Sequence, residues 1–76
     1  MEIKEFIENF ASQFDDTPIE EFKGETQFRD LDEWSSLIAL SIIAMVDEEY
    51  DVTLKGDDMK AANTIEELYE IVKSKL

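Results

Sequence analysis

Residues 26–37 read TQFRDLDEWSSL, and the last three of them open an apolar helix. Ser35 is a good candidate for the helix N-cap, so that the helix begins at Ser36. A helix N-terminus offers unpaired backbone N–H groups and a partial positive charge, and both favour a phosphate. The stretch therefore predicts an exposed serine hydroxyl at a helix end, suited to a group that is attached after translation.

The helix that follows is predicted from Ser36 to Tyr50, and its first three turns are apolar nearly all round: Leu37, Ile38, Leu40, Ile42, Ile43, Met45 and Val46. Such a helix is usually buried on most sides. A chain of 76 residues buries only about 60% of the surface that its unfolded form exposes. Some of these side chains are therefore expected at the surface. Trp34 is predicted to pack in the core, or back on Ala39 as a hydrophobic staple, in preference to the alternative of contact with a partner.

Two further helices are predicted at the ends of the chain. The first runs from Glu2 to Phe14, with an apolar stripe at helical spacing: Ile3, Phe6, Ile7, Phe10 and Phe14. The last begins after Thr64, with Glu67 three residues on in a capping box. Its core stripe is Ile65, Leu68, Tyr69, Val72 and Leu76.

The connection from Asp15 to Trp34 is long for a structureless loop. It is predicted to hold a short helical start, with Thr17 as cap and Pro18 at the first position. Four of its side chains are expected in the core: Ile19, Phe22, Phe28 and Leu31. A further short helix is expected from Asp57 to Ala62.

Composition excludes several function classes. The chain has no cysteine and no histidine, so it lacks thiolate metal sites, disulfides and the usual general base. An independent enzyme is not expected. The carboxylates from Asp47 to Asp58 fail the EF-hand pattern, because its sixth position is Val52 rather than glycine, and no metal site is predicted.

The formal net charge is −13, which should repel nucleic acids and anionic membranes and attract partners with basic patches. The stretch from Leu37 to Val46 is too short to span a bilayer, and the acidic start does not resemble a secretion signal. We therefore expect a cytoplasmic protein that does not insert into membranes, with a monomer as the default state.

The layout of essentially the whole chain resembles that of acyl carrier proteins, most specifically from Thr26 to Leu54. Residues 26–31 and 35–37 are similar to the family's Thr-x-Phe-x-x-Leu and Asp-Ser-Leu motifs. Residues 46–54, VDEEYDVTL, are similar to Leu-Glu-Glu-Glu-Phe-Asp-Ile-x-Ile, with no gap from Ser36. Residues 63–68, NTIEEL, resemble the entry to the family's last helix.

The resemblance implies an all-α fold: a four-helix, acyl-carrier-like bundle of three longer helices and one short helix, in a single domain spanning residues 1–76. It also implies a serine that receives 4′-phosphopantetheine from coenzyme A through a phosphopantetheinyl transferase. The arm then carries acyl or aminoacyl cargo as a thioester between enzymes with basic surfaces. By position this serine is Ser36, because attachment at the alternative Ser35 leaves Leu37 one residue out of register.

The expected partner surface combines apolar and acidic residues: Leu37, Ile38, Met45, Asp47, Glu48, Asp51, Asp57 and Asp58. The alternatives are core packing for the isoleucine and the methionine, and a solvated face for the acids. Ser35 replaces the family's aspartate, so a negative charge is missing beside the attachment site. Ile38 and Ser41 stand where many carriers of fatty acid biosynthesis have acids, which points to a specialised lipid or secondary-metabolite pathway.

Two other functions stay open at this stage. The missing aspartate and the apolar helix are also compatible with an unmodified adaptor that binds a partner protein through the second helix. The net charge alone is compatible with an acidic buffer of cations or basic proteins.

Overall fold

The computed structural model describes residues 2–76 and contains four α-helices. They are α1 (Ile3–Ala11), α2 (Ser36–Tyr50), α3 (Gly56–Ala61) and α4 (Ile65–Ser74). Two single 3-10 turns, Ile19–Glu21 and Phe28–Asp30, lie in the α1–α2 connection. The described residues form no strand. The predicted bundle of three longer helices and one short helix is therefore confirmed.

Helix α1 packs against α2 and α4, and α3 packs against α4. The core between them is rich in aromatic rings that surround Phe10 on α1. The ring centroid of Phe10 lies 5.6 Å from that of Phe28 and 6.5 Å from that of Trp34. The rings of Phe28 and Trp34 lie 4.9 Å apart. These contacts confirm that Trp34 packs against the core, and they fix the residue that precedes the N-cap of α2.

The predicted bounds of α2 are confirmed, and α4 has the predicted caps. In the capping box of α4, the Glu67 backbone N–H donates to Thr64 Oγ1 at 3.1 Å, and the Thr64 N–H donates to Glu67 Oε1 at 3.3 Å. The C-cap of α2 is Asp51, which has the left-handed backbone (φ 56°, ψ 39°). Its N–H donates to the Asp47 carbonyl at 3.0 Å.

Several predicted details are wrong. Helix α1 ends at Ala11 rather than Phe14, because the chain tightens into three-residue turns in which the Phe14 N–H donates to the Ala11 carbonyl. Helix α3 begins and ends one residue earlier than predicted. In the first 3-10 turn, Pro18 rather than Thr17 takes the N-cap position.

Two residues predicted for the core lie at the surface. Ile19 is 56% exposed, since the three residues of its 3-10 turn all face outward and Phe22 takes the core position that follows. Leu76 is 66% exposed, because α4 ends at Ser74 and the helical spacing that would bury Leu76 no longer applies. Among residues 2–76, no helix is long and apolar enough to cross a membrane.

Candidate functional site

The N-terminus of α2 is capped by Ser35, as predicted. This residue has an extended backbone (φ −156°, ψ 170°), and its Oγ accepts a hydrogen bond from the Ile38 backbone N–H at 3.2 Å. Its carbonyl accepts the first helical bond, from the Ala39 N–H at 3.0 Å. Ser36 is therefore the first residue inside the helix, and the hydroxyl of Ser35 is occupied by capping.

Ser36 is exposed, and within residues 2–76 its hydroxyl has no hydrogen-bond partner. The backbone N–H groups of Ser36 and Leu37 are also unpaired in that part of the chain. The start of α4 is different, because the Ile65 and Glu66 N–H groups donate to loop carbonyls at 3.1 Å and 2.8 Å. The loop thus closes the N-terminus of α4, whereas α2 keeps free donors beside an exposed hydroxyl.

Glu33 fixes the turn that leads into α2. Its carboxylate accepts hydrogen bonds from the backbone N–H groups of Asp15 (2.7 Å), Asp16 (3.0 Å) and Thr17 (3.0 Å), and from the Thr17 hydroxyl (2.7 Å). These bonds favour the charged form and hold the pKa of Glu33 below its usual value, the bond from Asp15 having the largest effect. Sequence reasoning missed this residue, because its partners lie up to 18 positions away and no local pattern marks them.

A groove of about 600 Å³ lies between α2 and α3, beside the free end of α2. We call it the α2–α3 groove; its lining residues are Arg29, Trp34, Ser35, Ser36, Ala39, Leu40, Ile43, Gly56, Met59 and Lys60. Its size is within the usual range for small-molecule sites, about 300–1,000 Å³. The groove thus places an apolar surface next to the Ser36 hydroxyl. Sequence reasoning did not predict it, because its two walls come from different helices.

Arg29 fastens the α3 wall of this groove. Its Nη1 donates to the carbonyls of Met59 (2.8 Å) and Ala62 (2.7 Å), and its Nη2 donates to Asn63 Oδ1 (2.5 Å). The carbonyls near the C-terminus of a helix have no partners within the helix, so a cationic donor there stabilises the end of α3. Arg29 therefore joins the second 3-10 turn to the C-terminus of α3.

The family model for phosphopantetheine attachment sites matches residues 5–72. The chain belongs to the phosphopantetheine attachment-site family. No curated protein and no solved structure gives a significant match to it. Domains of this family carry a covalent 4′-phosphopantetheine, and the free hydroxyl and N–H donors at the start of α2 fit a phosphate ester. They act as carriers for other enzymes rather than as catalysts.

The exposed face of α2 in this carrier domain changes character along the helix. Leu37 is 74% exposed and Leu40 is 62% exposed, whereas Ile38 is only half-buried. No acidic residue occurs in α2 before Asp47, which lies about 16 Å further along the axis than Ser36 at the usual rise per residue. Helix α2 therefore presents two exposed leucines beside Ser36, and its own acidic residues come only near its far end.

The other residues of the expected partner surface differ from one another in exposure and in hydrogen bonding. Met45 is 6% exposed and belongs to the core, so the core alternative applies and its inclusion in an exposed partner surface is wrong. Glu48, Asp51 and Asp57 are exposed. Asp58 serves the fold, because it accepts a hydrogen bond from the Lys55 backbone N–H at 3.0 Å and forms an ion pair with Lys75 at 3.7 Å.

No group of three or more carboxylates among residues 2–76 is placed to hold a metal ion.

Proposed function

We propose that this carrier domain holds acyl or aminoacyl cargo as a thioester on a 4′-phosphopantetheine arm attached to Ser36. The observation that supports Ser36 over Ser35 is the difference in hydrogen bonding between the two serine hydroxyls at the start of α2. The Ser35 hydroxyl accepts the capping bond from Ile38, whereas the neighbouring hydroxyl of Ser36 is exposed and unpaired within residues 2–76. The thiol of the arm supplies the thioester chemistry, and the chain itself supplies the position.

The pathway that we propose is a specialised lipid or secondary-metabolite pathway rather than primary fatty acid biosynthesis. Support comes from the apolar face beside Ser36, where Leu37 and Leu40 are exposed and no acid precedes Asp47 in α2. Apolar anchors at the centre of a surface and charges at its rim are typical of protein interfaces. Partner enzymes would bury the leucines and meet the acids at the rim with basic side chains.

The proposed partners are a phosphopantetheinyl transferase and acyl-transferring or synthase enzymes with basic surfaces. In our proposal the residues that contact them are Leu37, Ile38, Asp47, Glu48, Asp51, Asp57 and the partly exposed Asp58. The α2–α3 groove offers an apolar surface for the cargo next to the attachment point. The cytoplasmic location, the monomeric state and the single-domain organisation over residues 1–76 stay predictions.

Intact mass spectrometry tests the carrier function. The protein is incubated with coenzyme A, magnesium and a broad-specificity phosphopantetheinyl transferase, and we expect the mass of one phosphopantetheine group to be added. Ser36→Ala should abolish the gain, and Ser35→Asp should speed it, because an acid restores a charge that a cationic enzyme surface can bind. A chain that gains no mass, even as Ser35→Asp, would instead support the adaptor function.

A further inference from the structure

The charge of the α2–α3 groove is opposite to that of the protein. The chain has 20 acidic and 7 basic residues, yet the groove is lined by two of the basic residues, Arg29 and Lys60, and by none of the acidic ones. Its remaining lining is apolar or small, apart from the hydroxyls of Ser35 and Ser36. A cationic rim on an apolar groove favours an occupant that joins an anion to an apolar segment.

Of the two cationic side chains, that of Arg29 is already held by hydrogen bonds within the fold. Its Nη1 and Nη2 atoms donate to two carbonyls and an amide oxygen at the C-terminus of α3, at 2.5–2.8 Å. Moving the guanidinium toward a ligand would leave the Met59 and Ala62 carbonyls without this donor, which costs free energy. Arg29 therefore fixes the wall of the groove and leaves the direct contact to Lys60.

Lys60 is the available cation. It is exposed, and within residues 2–76 its ammonium group makes no ion pair or hydrogen bond. Other lysines near the C-terminus differ in this respect. Lys75 pairs with Asp58 at 3.7 Å, and the Lys73 ammonium lies 5.9 Å from the ring centroid of Tyr69. Lys60 thus combines a free positive charge with a place on the same groove as Ser36.

We propose that the Lys60 ammonium pairs with the phosphodiester of the phosphopantetheine arm and thereby directs the proximal part of the arm along the α2–α3 groove. This inference rests on the proposed attachment at Ser36. The phosphodiester is the favoured anion because its ester oxygen is Ser36 Oγ, and Ser36 itself lines the groove. The apolar walls formed by Leu40 and Met59 then face the aliphatic part of the arm.

The proposal is tested by ¹H–¹⁵N NMR of the complete chain before and after loading from coenzyme A, with intact mass confirming the loading. We expect amide shifts on both walls of the groove, at Ala39 and Ile43 on α2 and at Gly56, Met59 and Lys60 on α3. In Lys60→Gln the shifts on α3 should fall about threefold, as an exposed ion pair of modest strength implies. The matched control is Lys23→Gln, which removes an exposed lysine that does not line the groove.

A loaded chain whose α3 amides do not shift, or shift equally in Lys60→Gln and Lys23→Gln, would overturn the proposal while leaving the carrier function intact. A second sample, in which the phosphopantetheine arm carries an acidic acyl group, completes the experiment. Shifts on α3 that require this group, and are missing in the unacylated loaded chain, would identify the cargo rather than the phosphodiester as the anion. A chain that gains no mass would overturn both the attachment and the groove proposal.

Discussion

Replacing Arg29 by methionine tests how α3, one wall of the candidate site, is held in place. Helix α3 has only six residues, and isolated helices of that length are unstable in water. Its C-terminal end is held by the three hydrogen bonds from the guanidinium. Methionine keeps an unbranched apolar stem and removes the three bonds and the charge.

The expected loss of stability is about 2 kcal/mol. A hydrogen bond from a charged donor contributes about 1.5–3 kcal/mol when it is protected, and the exposure of Arg29 reduces each contribution. The Met59 and Ala62 carbonyls would be left without this donor at part-buried positions. For a domain with a free energy of unfolding of about 4–11 kcal/mol, this is a substantial fraction.

Urea unfolding followed by the fluorescence of Trp34 measures this loss. With a slope of about 1 kcal/mol per molar urea, the midpoint of Arg29→Met should fall by about 2 M. Lys4→Met is the matched control, because it removes the same charge from an exposed position and should stay within about 0.5 kcal/mol of the parent. Arg29→Lys keeps the charge but lacks the forked donors, so it should lose most of the same stability. Equal stabilities of Arg29→Met and Lys4→Met would refute the role of Arg29.

Three further predictions concern the turn and the ends of α2. The lowered pKa of Glu33 means that its carboxylate stabilises the fold fully above the usual pKa of 4.5, and that this stabilisation is lost as the pH falls through the lower pKa of the folded state. Glu33→Gln should therefore flatten the acidic part of a plot of the unfolding midpoint against pH. The same acidic slope in the variant and the parent would contradict this role of Glu33. Ser35→Ala removes the cap and should cost about 1 kcal/mol in urea unfolding, whereas Ser35→Asp should cost almost nothing. Asp51→Gly relieves the left-handed backbone at φ 56° and should raise the free energy of unfolding by about 0.5–1 kcal/mol; a lower thermal midpoint would show that the aspartate side chain stabilises this turn.

The elements that sequence reasoning predicted well are those whose signals are local. Ser35 marks the start of α2, and Thr64 with Glu67 marks the start of α4, because a cap and its partners lie within four residues of each other. The buried stripe of α4 followed from helical spacing as far as Val72. Beyond that residue the helix ends, and spacing could not place Leu76.

The features that sequence reasoning missed depend on contacts between distant residues. Glu33 binds backbone groups up to 18 positions away, and Arg29 binds carbonyls and an amide at a separation of 30 or more. The α2–α3 groove needs both helices in place before it exists. The burial of Met45 was open from sequence because α2 is apolar on nearly all sides, so that the periodicity does not single out one core face.

Fragment-ion mass spectrometry of the loaded protein decides which serine carries the arm, because cleavage of the backbone between Ser35 and Ser36 separates the two candidate hydroxyls. We expect every fragment that contains Ser36 to carry the phosphopantetheine mass, and fragments that end at Ser35 to lack it. Label on fragments ending at Ser35 would contradict the assignment of a capping role to one serine and of attachment to the other.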